Sequence, residues 1–245
     1  MFKRFLKFLP IKKQESYKPV PKSLLNILQF KPNNPTIFQY VFTPRSAQKK
    51  SANGASINYE RLEFLGDAML GAVIAKYLFD EAPGEREGYL TQMRSKIVSR
   101  KHLNEIGKDL KLIDYIDEDV KKNNSLSQHI EGDIFEALVG AVYEDQGFET
   151  TKNFIHRVVI DRYVDIKKLE NRISSYKSYL FEWAQKNKIE LTFHTNKEVN
   201  AEETTIFESY VKLNGVISGK GRGTSKKKAE ENAARRVYYS KQKQM

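Results

Sequence analysis

The segment YERLEFLGDAML, residues 59–70, decides the fold class of the larger part of the chain. From Tyr59 to Phe79 there is no proline, and apolar residues recur at positions 62, 65, 69, 70, 73, 74, 77 and 78. This spacing predicts an amphipathic helix with Asn58 as its N-cap. Three acids at the spacing i, i+3 and i+7 share one face of that helix, namely Glu60, Glu63 and Asp67.

A second acidic pair lies in EGDIFEALVGAVYEDQG, residues 131–147. Asp133 and Glu136 are spaced i, i+3 on a predicted helix over residues 130–146, which the following glycine ends. Between the two acidic segments the pattern predicts one helix over residues 90–106. No convincing pair of strands occurs before residue 185, so this part of the chain is predicted to be all-α.

Two glycines lie in line with the acids. Gly71 continues the first stripe and Gly140 continues the second, although a glycine inside a helix costs about 1 kcal/mol relative to alanine. We therefore expect the two helices to approach closely at these positions and to bring four or five carboxylates together. Such a cluster is unfavourable by itself, because like charges repel and a partly buried carboxylate loses hydration.

A divalent cation would offset that cost. Ligand sets made of oxygen alone favour Mg²⁺, Mn²⁺ or Ca²⁺ over zinc. Neither stripe has the Glu-x-x-His pattern of helical di-iron sites. The alternative is that these acids are solvated helix faces or form ion pairs with Arg61 and Arg94.

After residue 165 the pattern changes. Residues 166–174 are polar and are predicted to form a linker, and the remainder predicts the order α-β-β-β-α. The predicted elements are a helix over 175–187, strands over 189–195, 205–213 and 216–218, and a helix over 225–240. Asn214-Gly215 is a strong signal for a type I′ hairpin between the last two strands.

The last predicted helix begins with three lysines, Lys226, Lys227 and Lys228. The N-terminus of a helix carries free N–H groups and a partial positive charge, which favour a bound phosphate. Lysine is unfavourable at that end unless an anion approaches. The segment therefore predicts a phosphate clamp.

The 245 residues carry a net charge of +11, which is concentrated at both ends of the chain. Residues 1–22 contain seven basic and one acidic residue, and residues 174–245 contain fourteen and eight. This distribution favours a polyanionic partner, nucleic acid ahead of a membrane surface. The chain has no cysteine, which excludes thiolate chemistry and fits a cytoplasmic location. No apolar run is long enough for a membrane span.

Both parts of the chain resemble one known family. ERLEFLGD (60–67), EGYLTQMRSKIVSRKHL (87–103) and GDIFEALVGAVYEDQG (132–147) are similar to the signature segments of bacterial ribonuclease III. The C-terminal 70 residues or so resemble a double-stranded RNA-binding domain. The resemblance implies a multidomain protein with a basic N-terminal arm (1–22), an all-α ribonuclease III endonuclease domain (23–165), a linker (166–174) and an α-β-β-β-α double-stranded RNA-binding domain (175–241).

The resemblance also implies site residues. Mg²⁺, with Mn²⁺ as a substitute, would be held by Glu63, Asp67, Asp133 and Glu136. The implied catalytic residues are Asp67 and Glu136, with Glu60 and Glu87 as acids that support the site or contact RNA. Bound Mg²⁺ would activate water for attack on a phosphodiester, so no nucleophilic side chain is needed.

The resemblance also implies which residues bind RNA and which residue contacts a second subunit. Ser178, Glu182 and the three lysines match RNA-binding positions, and Phe64 matches an aromatic that inserts into a second subunit. The implied protein is a homodimer that cuts double-stranded RNA, leaves short 3′ overhangs, and processes rRNA precursors and other structured RNAs.

The sequence departs from the family pattern at two groove-contacting positions. Phe181 stands where the family usually has Gln, and Glu203 stands where it usually has His. Minor-groove contacts would then be weaker or rearranged. The rival hypothesis is a non-catalytic RNA-binding or ribosome-associated protein on the same fold, which should have lost the acids. Residues 1–9 could contact a membrane only weakly, since nine residues make a poor anchor.

Overall fold

The computed structural model describes residues 19–51, 54–122, 126–170, 173, 175–199 and 205–241. The chain divides into two compact units, with the boundary between Leu169 and Glu170. The helices up to that boundary are α1 (Lys22–Leu28), α2 (Pro35–Val41), α3 (Glu60–Glu81), α4 (Glu87–Ile97), α5 (Arg100–Asp109), α6 (Glu118–Lys122), α7 (Ile130–Ile155), α8 (Asp161–Tyr163) and α9 (Ile166–Glu170). Within the described ranges, none of the helices has both the length and the hydropathy needed to cross a bilayer.

The first unit is built around α3 and α7, which touch through their backbones. A Cβ atom on Gly66 would lie 1.7 Å from the carbonyl oxygen of Glu136, and one on Gly140 would lie 2.1 Å from that of Leu62. Only glycine allows the helices to cross this closely. The predicted approach is confirmed at Gly140, but the prediction for Gly71 is wrong, because a Cβ there would meet nothing within 4 Å.

Hydrophobic side chains of both helices form the core on either side of this crossing. Fully buried examples are Leu70, Ile74 and Leu78 on α3 and Phe135 and Leu138 on α7. Burial of a large apolar side chain contributes about 1.5–3 kcal/mol, so this core stabilises the crossing that the two acidic stripes require.

The single helix predicted over residues 90–106 is wrong, since the chain forms two helices there. Ser99 between them is extended, with ψ 141°, and its side chain accepts a hydrogen bond from the N–H of His102 at 3.4 Å. This cap starts α5, which then packs on the beginning of α7. There the N–H of Gly132 donates to Asn104 Oδ1 at 3.1 Å.

One helix end differs from the sequence prediction and another agrees with it. Asn58 lies one residue too early to be the N-cap of α3, although its Oδ1 accepts from the N–H of Glu60 at 3.1 Å. Gly147 leaves helical geometry, with φ 77° and ψ −174°, but α7 resumes after it and continues to Ile155. A glycine with positive φ therefore divides α7 into two helical stretches, and the predicted break at Gly147 is confirmed.

Part of the segment predicted to be a linker is helical. Residues 166–170 form α9, and Leu169 is buried with the core of the first unit. The ammonium group of Lys96, which is itself buried, donates to the carbonyl oxygen of Leu169 at 2.8 Å.

The second unit has the predicted α-β-β-β-α order. Its elements are α10 (Tyr176–Lys186), β1 (Leu191–Val199), β2 (Thr205–Leu213), β3 (Val216–Gly223) and α11 (Lys226–Lys241). The strands form an antiparallel sheet in the order β1-β2-β3, with Leu191 opposite Leu213. The predicted hairpin is confirmed, because Asn214 and Gly215 both have positive φ, 48° and 79°.

The last helix lies directly on β3. Cβ atoms on Gly221 and Gly223 would lie 2.2 and 2.6 Å from backbone nitrogens of Ala233 and Ala229. The glycines between 219 and 223 therefore let α11 sit on the strand without an intervening side chain. This packing fixes where the first turn of α11 begins.

Candidate metal centre and nucleic-acid surface

Three carboxylates meet beside the crossing of α3 and α7. Glu63, Asp133 and Glu136 each offer an oxygen, and these oxygens all lie within 4.8 Å of one another. Glu63 lies one turn before Gly66, and the carbonyl oxygen of Glu136 is the atom that Gly66 faces. The backbone contact therefore brings the two acidic stripes together.

Burial and the repulsion between neighbouring acids dominate the electrostatics of the cluster. Burial, followed by the negative charges of Asp67, Glu63 and Asp133, raises the pKa of Glu136 to about 8. Burial also raises the pKa of Glu63, with Asp133 as its strongest charged neighbour. Glu136 therefore holds its proton at neutral pH unless a cation replaces it.

These properties fit a divalent metal ion. The donor set consists of carboxylate oxygens, which suit Mg²⁺ and Mn²⁺, and the group is half-buried rather than sealed from solvent. A cation there would stabilise the ionised form of all three acids. The arrangement can therefore bind a divalent ion and leave it open to a substrate.

The other predicted acids lie at different distances from this group. Asp67 is exposed on the turn after Gly66, and its charge acts on both Glu136 and Glu63. Glu60 lies at the start of α3, with an oxygen 3.8 Å from Arg45 Nη1. Among the residues that the structure describes, the ion pair of Glu60 is with Arg45, and none with Arg61 or Arg94 is found.

Glu87 is not part of the three-carboxylate group. It is exposed at the start of α4 and accepts a hydrogen bond from Thr91 Oγ1 at 2.8 Å. In the structure, therefore, only Glu63, Asp133 and Glu136 among the described residues form the close group, with Asp67 at its border.

Three residues near the acids were missed by the sequence analysis. The positive charge of Arg100, the first residue of α5, lowers the pKa of both Glu136 and Glu63. Tyr59 is buried, and burial followed by the charge of Asp133 raises the pKa of its phenol. Ser127 donates from Oγ to Asp133 Oδ2 at 3.1 Å. Periodicity carries no signal for any of them, because each acts from a loop or a helix end.

Phe64 is the most exposed large apolar side chain among the described residues, with 80% of its surface accessible. It neighbours Glu63 on α3. The depression around it is lined by Glu60, Arg61 and Leu65. A phenyl ring exposed beside an acidic cluster fits a site covered by another surface.

The lysine clamp predicted from sequence lies at the first turn of α11. Lys226, Lys227 and Lys228 are all exposed, and Ser225 Oγ accepts from the N–H of Lys228 at 3.2 Å. The turn therefore presents three ammonium groups together with the positive end of the helix.

The other predicted RNA-binding residues lie on α10. Ser178 and Glu182 are both exposed. Glu231 of α11 accepts hydrogen bonds from Ser175 Oγ at 2.8 Å and from the N–H of Tyr176 at 2.6 Å, so it ties the start of α10 to α11. This tie keeps α10 in a fixed position relative to the lysine turn.

Phe181, the first departure from the family pattern, is 45% exposed on α10. Its ring stacks on that of Phe193 at 5.5 Å, and the ammonium group of Lys177 lies 5.1 Å from the Phe193 ring. Glu203, the second departure, lies outside the described residues.

The fold and the two sites together define a class of protein, a two-unit RNA-processing enzyme with a helical unit that carries a metal-binding carboxylate group and a smaller unit that presents a basic turn. Residues 34–163 match the family model described as Ribonuclease-III-like, and residues 176–238 match the double-stranded RNA binding motif.

Comparison with individual proteins agrees with the family models. The chain is 49% identical over 223 residues to Ribonuclease 3 of Zunongwangia profunda, covering 91% of each chain. It is 50% identical over 216 residues to Ribonuclease 3 of Flavobacterium psychrophilum, covering 88% of this chain and 87% of that one. The nuclease domain of ribonuclease III from Campylobacter jejuni superposes with a TM-score of 0.52 at 31% identity, covering 59% of this chain and 97% of that domain. The chain therefore belongs to the ribonuclease III family and is an endoribonuclease of that type.

Proposed function

We propose that this protein is a Mg²⁺-dependent endoribonuclease that cuts double-stranded RNA and leaves a 5′-phosphate and short 3′ overhangs. The observation that carries the proposal is the group formed by Glu63, Asp133 and Glu136, whose oxygens lie within 4.8 Å of one another. Its substrates would be rRNA precursors and other structured RNAs, as the resemblance implies. Mn²⁺ would substitute for Mg²⁺, because both prefer oxygen ligands.

The roles of the chain's own residues follow from their positions. Glu63, Asp133 and Glu136 would hold the ion, with Asp67 as a ligand from the border of the group. Bound Mg²⁺ supplies a water of lowered pKa and neutralises charge that develops on the phosphodiester. Glu60 and Glu87, whose side chains are both exposed, would support the site or contact RNA.

The second unit would hold the duplex by its phosphates. Lys226, Lys227 and Lys228, which are exposed, would contact the phosphates of the RNA backbone, and such contacts carry no sequence information. Ser178 and Glu182 on α10 would face the minor groove, where 2′-hydroxyls distinguish RNA from DNA.

Two copies of the chain would form the active enzyme. The support is Phe64, which is 80% exposed beside the acids. A solved nuclease domain of Campylobacter jejuni ribonuclease III is described as having a flexible region involved in its dimer formation. Two sites related by a two-fold axis would cut opposite strands and so produce the overhangs.

A non-catalytic RNA-binding protein is the second candidate, and the carboxylate group argues against it. Buried like charges are costly to keep without a cation. A protein that only binds RNA gains nothing from that cost.

The test is cleavage of a long RNA duplex by wild type and by Glu136→Gln. The variant should lose more in cleavage rate than the ~10–100-fold that is typical when a residue supporting a metal ligand is removed, because here the ligand itself is replaced. It should bind the duplex as wild type does, because the lysine turn supplies phosphate contacts. Glu144→Gln, an exposed acid on the same helix, is the matched control and should cut normally. Equal loss of binding and cutting would contradict the proposal, as would full activity of Glu136→Gln.

A further inference from the structure

The hydroxyl group of Ser127 is held in a defined direction just before α7. Ser127 Oγ accepts a hydrogen bond from the N–H of His129 at 3.2 Å. The carbonyl oxygen of Ser127 accepts from the N–H of Ile130 at 3.3 Å. Backbone donors therefore fix Ser127 on two sides.

The same hydroxyl faces one of the three clustered carboxylates. Ser127 Oγ lies 3.1 Å from Asp133 Oδ2. Because Oγ already accepts from the His129 N–H, its own hydrogen is free to be donated, and among the described residues Asp133 is the acceptor that it reaches. A hydrogen bond to a carboxylate is stronger than one between neutral groups, so it restrains the rotation of the Asp133 side chain.

We infer that Ser127 is a positioning residue for the metal centre. It holds Asp133 Oδ2 and thereby fixes the orientation of the carboxylate that lies against Glu63 and Glu136. Groups that hydrogen-bond to metal ligands orient them, and their loss typically costs about 10–100-fold in metal affinity or activity. This inference rests on the proposed metal-dependent cleavage and adds a residue that the acidic pattern does not contain.

The test compares Ser127→Ala with wild type in two measurements on the full chain. Direct binding of Mn²⁺ is followed by electron paramagnetic resonance of the free ion. Cleavage of an RNA duplex is followed as a function of Mg²⁺ concentration. The variant should bind Mn²⁺ about 10-fold more weakly and need correspondingly more Mg²⁺ for half-maximal cleavage, with most of the rate recovered at saturating Mg²⁺.

Two further variants separate the effect of the Ser127 hydroxyl from the effect of side-chain shape. Ser127→Thr keeps the hydroxyl and should behave as wild type, whereas Ser127→Val has nearly the same shape as the threonine variant without the hydroxyl and should behave as Ser127→Ala. This pair decides the question even if the alanine variant folds poorly.

Ser99→Ala is the matched control, because Ser99 also accepts a backbone N–H at a helix start but donates to the carbonyl oxygen of Lys96 at 3.0 Å rather than to a carboxylate. It should leave Mn²⁺ affinity unchanged. Wild-type Mn²⁺ affinity in both Ser127→Ala and Ser127→Val would overturn the inference, as would an equal loss in Ser99→Ala. A wild-type protein that binds Mn²⁺ but cuts no duplex would instead contradict the proposed function, so the two failures are distinguishable.

Discussion

Among single residues, Glu136 has the largest consequence for the chemistry of the molecule. Its side chain is partly buried, and the charges of three other acids act on it. In the metal-free protein its pKa is about 8, compared with an ordinary value of 4.5. Below pH 4.5 the group is protonated in both the folded and the unfolded chain. Between pH 4.5 and 8 only the unfolded chain ionises, which favours unfolding.

The free energy of unfolding of the metal-free protein should therefore fall as pH rises from about 5 to 8. One pKa unit corresponds to about 1.4 kcal/mol, and partial exposure reduces the effect, so we expect a loss of about 2–4 kcal/mol across this range. Urea unfolding in the presence of a chelator measures it. Glu136→Gln should lack this loss and be more stable than wild type at pH 8, whereas Glu144→Gln should follow wild type. Identical pH profiles for wild type and Glu136→Gln would contradict the assignment.

At the scale of elements, the crossing of α3 and α7 sets the geometry of the site. Gly66→Ala should destabilise the protein by about 3 kcal/mol or more, because its Cβ would lie 1.7 Å from the carbonyl oxygen of Glu136 and the helices must separate. Chemical unfolding measures the loss, and Mn²⁺ binding should weaken with it.

Gly71→Ala on the same helix is the matched control. A Cβ at Gly71 meets nothing within 4 Å, so the substitution should stabilise the helix by up to about 1 kcal/mol. A destabilised Gly71→Ala, or a neutral Gly66→Ala, would show that the crossing is not held as described.

The difference between these two glycines shows what the sequence could predict. Periodicity identified α3 and α7 because each buries one face, and it placed the acids on one side of each helix. It could not show where along their length the helices cross, since that depends on packing between segments far apart in sequence. Gly66 therefore remained unnoticed. The break before α5 was missed for a related reason, because the apolar period continues through Ser99, whose side chain caps a new helix.

The smaller unit was easier to predict, because its signals are local. Asn214-Gly215 fixes a turn through backbone sterics, and the three lysines mark a helix start. The errors there were in the strand ends. β1 begins at Leu191 rather than at Ile189 and continues to Val199 rather than ending at 195, and β3 continues to Gly223 rather than ending at 218. The N–H of Ile189 donates to the carbonyl oxygen of Ala184 at the end of α10 at 2.8 Å, a hydrogen bond that strand propensity does not reveal.

The lysine turn of α11 gives a prediction about salt. Replacing Lys226, Lys227 and Lys228 together by Ala should weaken binding to all duplex sequences alike. The slope of log affinity against log salt should flatten by up to about 0.9 for each phosphate that the variant no longer neutralises, if duplex RNA behaves like B-DNA. Titration into a short RNA duplex at several salt concentrations measures both effects.

The control removes the same charge elsewhere on the unit, at Lys186, Lys188 and Lys212. That triple variant should show a smaller loss of affinity and a slope close to wild type. Equal slopes for the two triple variants would mean that the net charge of the unit, rather than the lysine turn, is what binds the RNA backbone.

Glu203→His, at the second departure from the family pattern, should tighten binding to an RNA duplex, most strongly at low salt, where charges are least screened.

For the whole molecule, the predicted homodimer depends on Phe64. Truncation of a Phe buried across an interface costs about 3–5 kcal/mol, so Phe64→Ala should weaken the dimer more than about 100-fold. Analytical ultracentrifugation over a range of concentrations measures this change. Phe79→Ala, which removes another exposed ring from α3, is the control and should leave the dimer intact. A wild-type protein that sediments as a monomer at micromolar concentration would contradict the prediction.

The backbone contact between α3 and α7 also limits how the molecule can accept random mutation. Where helices are separated by side chains, a loss of volume on one side can be compensated by a gain on the other, so many combinations work. At Gly66 and Gly140 no such compensation is available, because each glycine contacts the backbone of the other helix and no side chain there can be made smaller. In a library of random variants selected for activity, we therefore expect many combinations of apolar residues at the core positions. At Gly66 and Gly140 we expect glycine almost alone, although neither residue has a side chain that takes part in the chemistry.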